Sequence, residues 1–168
     1  MADIVSAGIL TISDKGSTGA RQDTSGEAIR HILAAINVSV TNYSVIPDEK
    51  DLIAETLARW ADDDGLDLIF TTGGTGLTPR DVTPEATLSV VDRVVPGFAE
   101  AMRAESLKKT PTAMLSRAVV GARGSCLIVN LPGSPKAVRE CLEVILPALP
   151  HAVETLRGQA GDCGTDRT

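Results

Sequence analysis

The 168-residue chain is 43% hydrophobic and carries a formal net charge of −6, so it is globular and lacks the basic footprint that a nucleic-acid or anionic-membrane surface needs. By length it is one domain, able to bury about 70% of its unfolded surface without staples. Only four aromatics occur, Tyr43, Trp60, Phe70 and Phe98, so the core has to be aliphatic.

IVSAGILTIS (4–13) is apolar nearly throughout, as a strand covered on both faces should be. A polar loop, DKGSTGARQDTSG, leads to EAIRHILAAI, whose Ile29, Ile32, Leu33 and Ile36 fall at helical spacing. Asp23, Thr24 and Ser25 are its candidate N-caps. VSVTNYSVI (38–46) alternates and is β-branched, a second strand ended by Pro47. DEKDLIAETLARWADDD places Ile53, Leu57, Trp60 and Ala61 on one helical face, with acids at its start. LDLIF (66–70) is the third strand, and TTGGTGLTPRD (71–81) the loop after it. VTPEATLSVVDRVV predicts a helix with Thr83 as N-cap and Pro84 at its first position. PGFAEAMRAESLKKT predicts another, with Lys108 and Lys109 near its C-terminal dipole. AVVGARGSCLIVNL predicts two short strands around Arg123-Gly124, a hairpin that makes the sheet mixed. SPKAVRECLEVILP and ALPHAVETLR are helical, broken near Pro147 and Pro150.

The alternation predicts one α/β domain over residues 1–158, a three-layer α/β/α sandwich with a mostly parallel, mixed sheet. Residues 159–168 have no apolar periodicity and are expected to be a disordered tail. Cys126, Cys141 and Cys163 are odd in number and show no CxxC or Cys/His spacing. That argues against a disulfide framework or zinc site, and Cys126 and Cys141 read as buried thiols. His31 and His151 have no partner spacing and read as structural or surface residues. The N-terminus has no basic n-region, and no apolar run approaches the ~20 residues of a membrane span. The expected location is cytoplasmic.

Ligands of such folds sit outside the carboxyl ends of the strands. Gly73, Gly74, Thr75 and Gly76 offer positive-φ backbone, unshielded N–H donors and a hydroxyl, a donor set suited to phosphate or carboxylate. A turn with glycines for steric reasons is the plainer alternative. Two nucleotide motifs fail here: Pro79 stands where a dinucleotide fingerprint wants its third glycine, and no lysine closes a P-loop. Asp48 and Asp81 each precede a helix at the same end of the sheet, so each alone reads as an N-terminal carboxylate favoured by the dipole. As a pair beside an anion loop, they are also what a Mg²⁺–nucleotide site needs. Arg80 either clamps a phosphate or pairs with a nearby acid. In NLPGSP (130–135), Pro132 stiffens the loop, Gly133 admits a ligand to the backbone and Ser134 can cap the next helix. Ser13 and Asp14, after the first strand, form a weaker candidate of the same kind.

TTGGTGLTPRDVTPEAT, SLKKTPTAMLSR and GSCLIVNLPGSPKAVRECL together resemble the molybdopterin adenylyltransferase family of molybdenum-cofactor biosynthesis, to which the gephyrin G domain is related. The likeness runs from ILTISD through IPDE to the helix near residue 157. It implies a homotrimer that joins molybdopterin to Mg-ATP, giving adenylylated molybdopterin and pyrophosphate before molybdate insertion. It places Asp48 and Asp81 at positions tied to activity, where their chemistry suits them to orient Mg²⁺ on the ATP phosphates. It assigns pterin and nucleotide phosphates to the loops holding Gly73, Gly74, Thr75, Gly76, Arg80, Pro132, Gly133 and Ser134, and Ser13 and Asp14 stay as further candidate binding residues. A molybdate-insertion protein is the implied transient partner. Two alternatives stand beside this: a member that binds molybdopterin without adenylylating it, and a nucleotide-dependent enzyme of the same fold acting on another substrate.

Overall fold

A computed structural model describes residues 4–159. Six strands form one sheet: β1 (Val5–Ile12), β2 (Val38–Ile46), β3 (Leu68–Thr72), β4 (Arg93–Val94), β5 (Val120–Arg123) and β6 (Cys126–Leu131). Their order is β2-β1-β3-β6-β5-β4. β2, β1, β3 and β6 run parallel, while β5 is antiparallel to both β6 and β4. The helices are α1 (Asp14–Ser17), α2 (Thr24–Ala34), α3 (Lys50–Asp62), α4 (Thr83–Val90), α5 (Pro96–Leu107), α6 (Pro135–Ile145) and α7 (Leu149–Leu156). The mixed three-layer sandwich expected from the alternation is what forms.

Strand periodicity divides the core in two. Leu68, Phe70, Leu127, Val129 and Leu131 face one side and meet α2, α5, α6 and α7. Ile69, Cys126 and Ile128 face the other and meet α3 and α4. Trp60 is core, as its helical position requires. It packs so closely on β1 that a Cβ on Gly8 would lie 2.7 Å from its ring. Cys126 and Cys141 are buried thiols, and burial pushes Cys126 up to about 12.

Several boundaries differ from the sequence expectations, each for a local reason. β3 starts at Leu68 and keeps Thr71 and Thr72, which pair with Asn130 and Leu131; their β-branched side chains suit a pleated sheet. The helix expected over 82–95 ends at Val90. Beyond it Arg93 and Val94 pair with β5, because the run VVDRVV is β-branched and β5 offers an open edge. Thr83 is not the cap. Val82 holds that position without a side-chain bond, and the Thr83 hydroxyl instead donates to the Gly73 carbonyl (3.0 Å). Ile36 lies outside α2, which closes before Asn37 at φ 58°. A 3-10 turn over Pro111–Leu115 and the single turn of α1 were not foreseen. Of the tail, only Gln159 is among the described residues; its amide donates to Glu154 O and continues the α7 turn.

Candidate active site

β1 lies between β2 and β3, and the chain departs in opposite directions from it, so the sheet has its switch point between the ends of β1 and β3. A cleft of about 550 Å³ opens there. Its floor is Ile12, Thr72 and Gly73, and the loops after β1, β2, β3 and β6 form its walls.

Gly73 has to be glycine. Its φ is +96°, and a Cβ would stand 2.3 Å from the Ile12 carbonyl oxygen. Gly74, at φ +67°, is equally confined: its Cβ would meet Thr83 Oγ1 at 2.3 Å and Asp48 Oδ1 at 3.1 Å. The loop therefore crosses the strand ends as bare backbone, with Thr83 N bound to Gly74 O (3.1 Å). Asp48 and Asp81 both border the cleft. Burial, and then the neighbouring charges of Asp14 and Asp81, push the Asp48 carboxyl above its ordinary value even though the Asp14 amide bond works the other way. Asp81 accepts the Thr78 amide (3.0 Å) across its own turn.

Asp14 and Asp48 are tied reciprocally. Asp14 N donates to Asp48 Oδ2, and Asp48 N donates to Asp14 Oδ1, each at 3.0 Å. Arg80 then forks onto Asp14 through Nε (3.0 Å) and Nη2 (2.8 Å), and reaches Glu49 at 2.9 Å. Arg80 thus makes the acid pairing that was one of its two expected roles. The Arg80 bond is the largest influence holding Asp14 below the usual carboxylate range.

Ser13, Asp48, Gly73, Gly74, Asp81, Gly133 and Ser134 are thus brought to one cleft. Asp14, Thr75, Gly76, Arg80 and Pro132 lie on the same loops but are not among its lining residues. Thr75 and Gly76 present their carbonyls to Arg117, and Pro132 presents its own to Thr72 Oγ1 (2.7 Å). Ser134 caps α6 by accepting the Ala137 amide, and Ser13 caps α1.

Sequence reasoning missed the opposite wall, formed by Arg21, Gln22, Asp23, Thr24 and Ser25. Asp23 caps α2 through Gly26 N (2.9 Å), accepts Thr11 Oγ1 (2.7 Å) and holds the Tyr43 hydroxyl. Ser25 Oγ donates to Gly133 O at 2.6 Å, joining this wall to the loop after β6. The signal was available: the long polar stretch DKGSTGARQDTSG, at the carboxyl end of the first strand, is more than a bare connection needs.

Residues 8–151 match the family described as a probable molybdopterin binding domain. The chain belongs to this family. Within the molybdopterin-binding family it is 47% identical over 153 residues to the molybdopterin adenylyltransferase of Helicobacter pylori strain J99, covering 90% of this chain and 87% of that protein. It is 41% identical over 165 residues to the Escherichia coli K12 molybdopterin adenylyltransferase, covering 90% and 85%. Among solved structures, the molybdopterin biosynthesis enzyme MoaB of Thermus thermophilus superposes with a TM-score of 0.87 at 57% identity, covering 92% of this chain and 97% of that one.

Proposed function

We propose that this chain adenylylates molybdopterin with ATP, the step of molybdenum-cofactor biosynthesis that prepares for molybdate insertion. The carrying observation is the cleft that unites Asp48, Asp81 and the Gly73-Gly74 backbone at the switch point, in a chain 47% identical to a molybdopterin adenylyltransferase. A phosphate oxygen of molybdopterin attacks the α-phosphorus of ATP. The bond from that phosphorus to the oxygen bridging to the β-phosphate breaks, and pyrophosphate leaves with its electron pair. A phosphate monoester is largely ionised at neutral pH, so the nucleophile needs no strong base. The burden is to bring two polyanions together in line and to stabilise the leaving group.

The chain's residues suit that burden. Gly73 and Gly74 let phosphate oxygens approach the backbone, and Ser134 and Asp23 open α6 and α2 toward the cleft with the positive ends of their dipoles. Mg²⁺ fits the carboxylates: Asp48 sits in the field of Asp14 and Asp81, a surplus of negative charge that a cation relieves. Among the described residues no three His, Cys, Asp or Glu side chains cluster to hold a metal. Asp48 and Asp81 would therefore share Mg²⁺ with substrate phosphates and water, as this cation commonly requires. When bound, the cation neutralises charge on the transferring and leaving phosphates. Ser13 lines the cleft as well, and Asp14, Thr75, Gly76, Arg80 and Pro132 belong to the loops that build it.

The homotrimer is part of the same reading, supported by exposed apolar residues: Val94 on the short strand β4, and Met114 and Leu115 on the 3-10 turn. No described helix is long and apolar enough to cross a membrane. A cytoplasmic location and a transient handover to a molybdate-insertion protein complete the proposal. Pyrophosphate release by purified protein with ATP and Mg²⁺ tests it. The release is expected only when molybdopterin is added. Release without molybdopterin would assign the cleft to another nucleotide reaction, and pterin binding without release would make the chain a binding member.

A further inference from the structure

Arg117 spends its guanidinium on the loop that carries Asp81 and on the helix that follows it. It comes from the extended segment after the 3-10 turn, 36 residues away in sequence. Nε donates to Gly76 O (2.8 Å), Nη2 donates to Asp81 O (2.8 Å), and Nη1 pairs with Glu85 in the first turn of α4. Its backbone amide adds a bond to Thr75 O (2.9 Å). The two carbonyls that its side chain holds stand at either end of the stretch 77–80. The planar fork of an arginine bridges such a pair through two separate nitrogens, where a lysine has only one.

The segment that presents Arg117 is itself fixed. Arg103 of α5 donates through Nη1 to Ala118 O (2.8 Å) and Ser116 O (3.4 Å), the carbonyls on either side of residue 117. Asn130, fully buried in β6, accepts the Val119 amide (3.2 Å) and donates to Thr71 Oγ1 and Thr87 Oγ1. A buried and satisfied network of this kind holds one geometry. On the other flank of the loop, Arg80 is bound to Asp14 and Glu49. The stretch ending in Asp81 is therefore strapped from both sides. On the Arg117 side, the strap grips the main chain of Asp81 itself.

We infer that Arg117 is a positioning residue for Asp81: by closing the 76–81 turn through the two carbonyls, it sets where the Asp81 carboxylate meets the cleft. Gly76 shows how little slack exists, since a Cβ there would lie 2.8 Å from Asp81 Oδ2. Losing the strap leaves the carboxylate present and displaced, which affects the reacting complex more than substrate capture. The inference rests on the adenylylation reading for its kinetic arm and on geometry alone for its second arm.

The experiment compares Arg117→Gln and Arg117→Lys, each alone and combined with Asp81→Asn, in adenylylation assays on folded protein. Arg117→Gln is expected to lower kcat by about tenfold to a hundredfold, the scale of an ångström-level misplacement, with KM for ATP little changed. Arg117→Lys, which keeps one cationic nitrogen in place of the fork, should recover part of the loss. In the Asp81→Asn background, Arg117→Gln should cost less than about threefold, because the two changes then disable one device. An undiminished cost in that background would overturn the inference, as would a fall in melting temperature with kcat intact. The second arm is hydrogen exchange on the substrate-free protein. The Thr78 amide, which bonds Asp81, should lose protection in Arg117→Gln, and unchanged protection would equally overturn the strap. A wild-type chain that adenylylates nothing would sink the functional reading, while the exchange arm would still decide the role of Arg117.

Discussion

Replacing Gly74 with alanine tests whether the backbone angle and the Thr83 contact fix a glycine in this loop. The added Cβ would stand 2.3 Å from Thr83 Oγ1, too close for either atom to remain in place. Thr83 is fully buried, and its hydroxyl holds the Gly73 carbonyl, so moving it breaks a bond inside the fold. Left-handed backbone costs a non-glycine residue roughly 1–2 kcal/mol. Losing the buried hydrogen bond costs about 1–3 kcal/mol more. The stiffer unfolded chain of an alanine returns about 0.4–1 kcal/mol. The balance is a loss near 3 kcal/mol, or roughly 6–12 °C in Tm for a domain of this size. Thermal and urea denaturation read the loss, and the adenylylation rate on the folded fraction should fall as well, because the Cβ also crowds Asp48. A variant with wild-type Tm would show that neither the backbone angle nor the Thr83 contact constrains this loop, and the reasoning would fail.

Two titratable groups give predictions of opposite sign. Asp48 has its folded-state pKa raised, so its ionised form opposes folding at pH values above the unfolded carboxylate value, and protonation at lower pH relieves it. Asp48→Asn should thus match or exceed wild-type stability at pH 7 while losing activity, a trade measured by paired urea melts and rate assays; a clear destabilisation would contradict it. Asp67 is the converse case: burial raises it, but the Arg157 fork and two bonds from Ser6 outweigh burial and hold it below its usual value. Its contribution is complete above the unfolded value near 3.9 and is lost as pH falls through the lower folded value. Asp67→Asn should lower stability at pH 7 and flatten the acid limb of the pH–stability curve, and an unaltered limb would show that the pair carries none of it.

The strand ends of the site were legible because apolar runs give way abruptly to glycine and acid. Asp48 and Asp81 could be placed at one end of the sheet from alternation alone, and the cleft brings both to its border. The same alternation could not say that Thr71 and Thr72 stay in β3, since a β-branched polar pair fits either a strand end or a loop. Nor could helical propensity decide where α4 stops, because the pairing of Arg93 and Val94 with β5 is long-range. Thr83 shows the limit most plainly: its residue type fits a cap, yet tertiary contact with Gly73 turns its hydroxyl into a donor. The roles of Arg80 and Arg117 depend on partners 31 to 66 residues away, which no local pattern encodes. Molybdopterin itself was read from the joint signature of TTGGTGLTPRDVTPEAT and NLPGSP, whereas physical chemistry alone reached only a cleft suited to phosphates and a cation.

The central claim is that the carboxylates at this cleft carry an adenylyl transfer. It is tested most directly by the rate at which purified Asp81→Asn protein converts molybdopterin and Mg-ATP to adenylylated molybdopterin. The amide keeps the shape and can still accept the Thr78 amide, so the fold should be retained. The rate should fall by about 10²–10³, the usual cost of one preorganised electrostatic contact. A folded Asp81→Asn protein working at near wild-type rate would contradict the account.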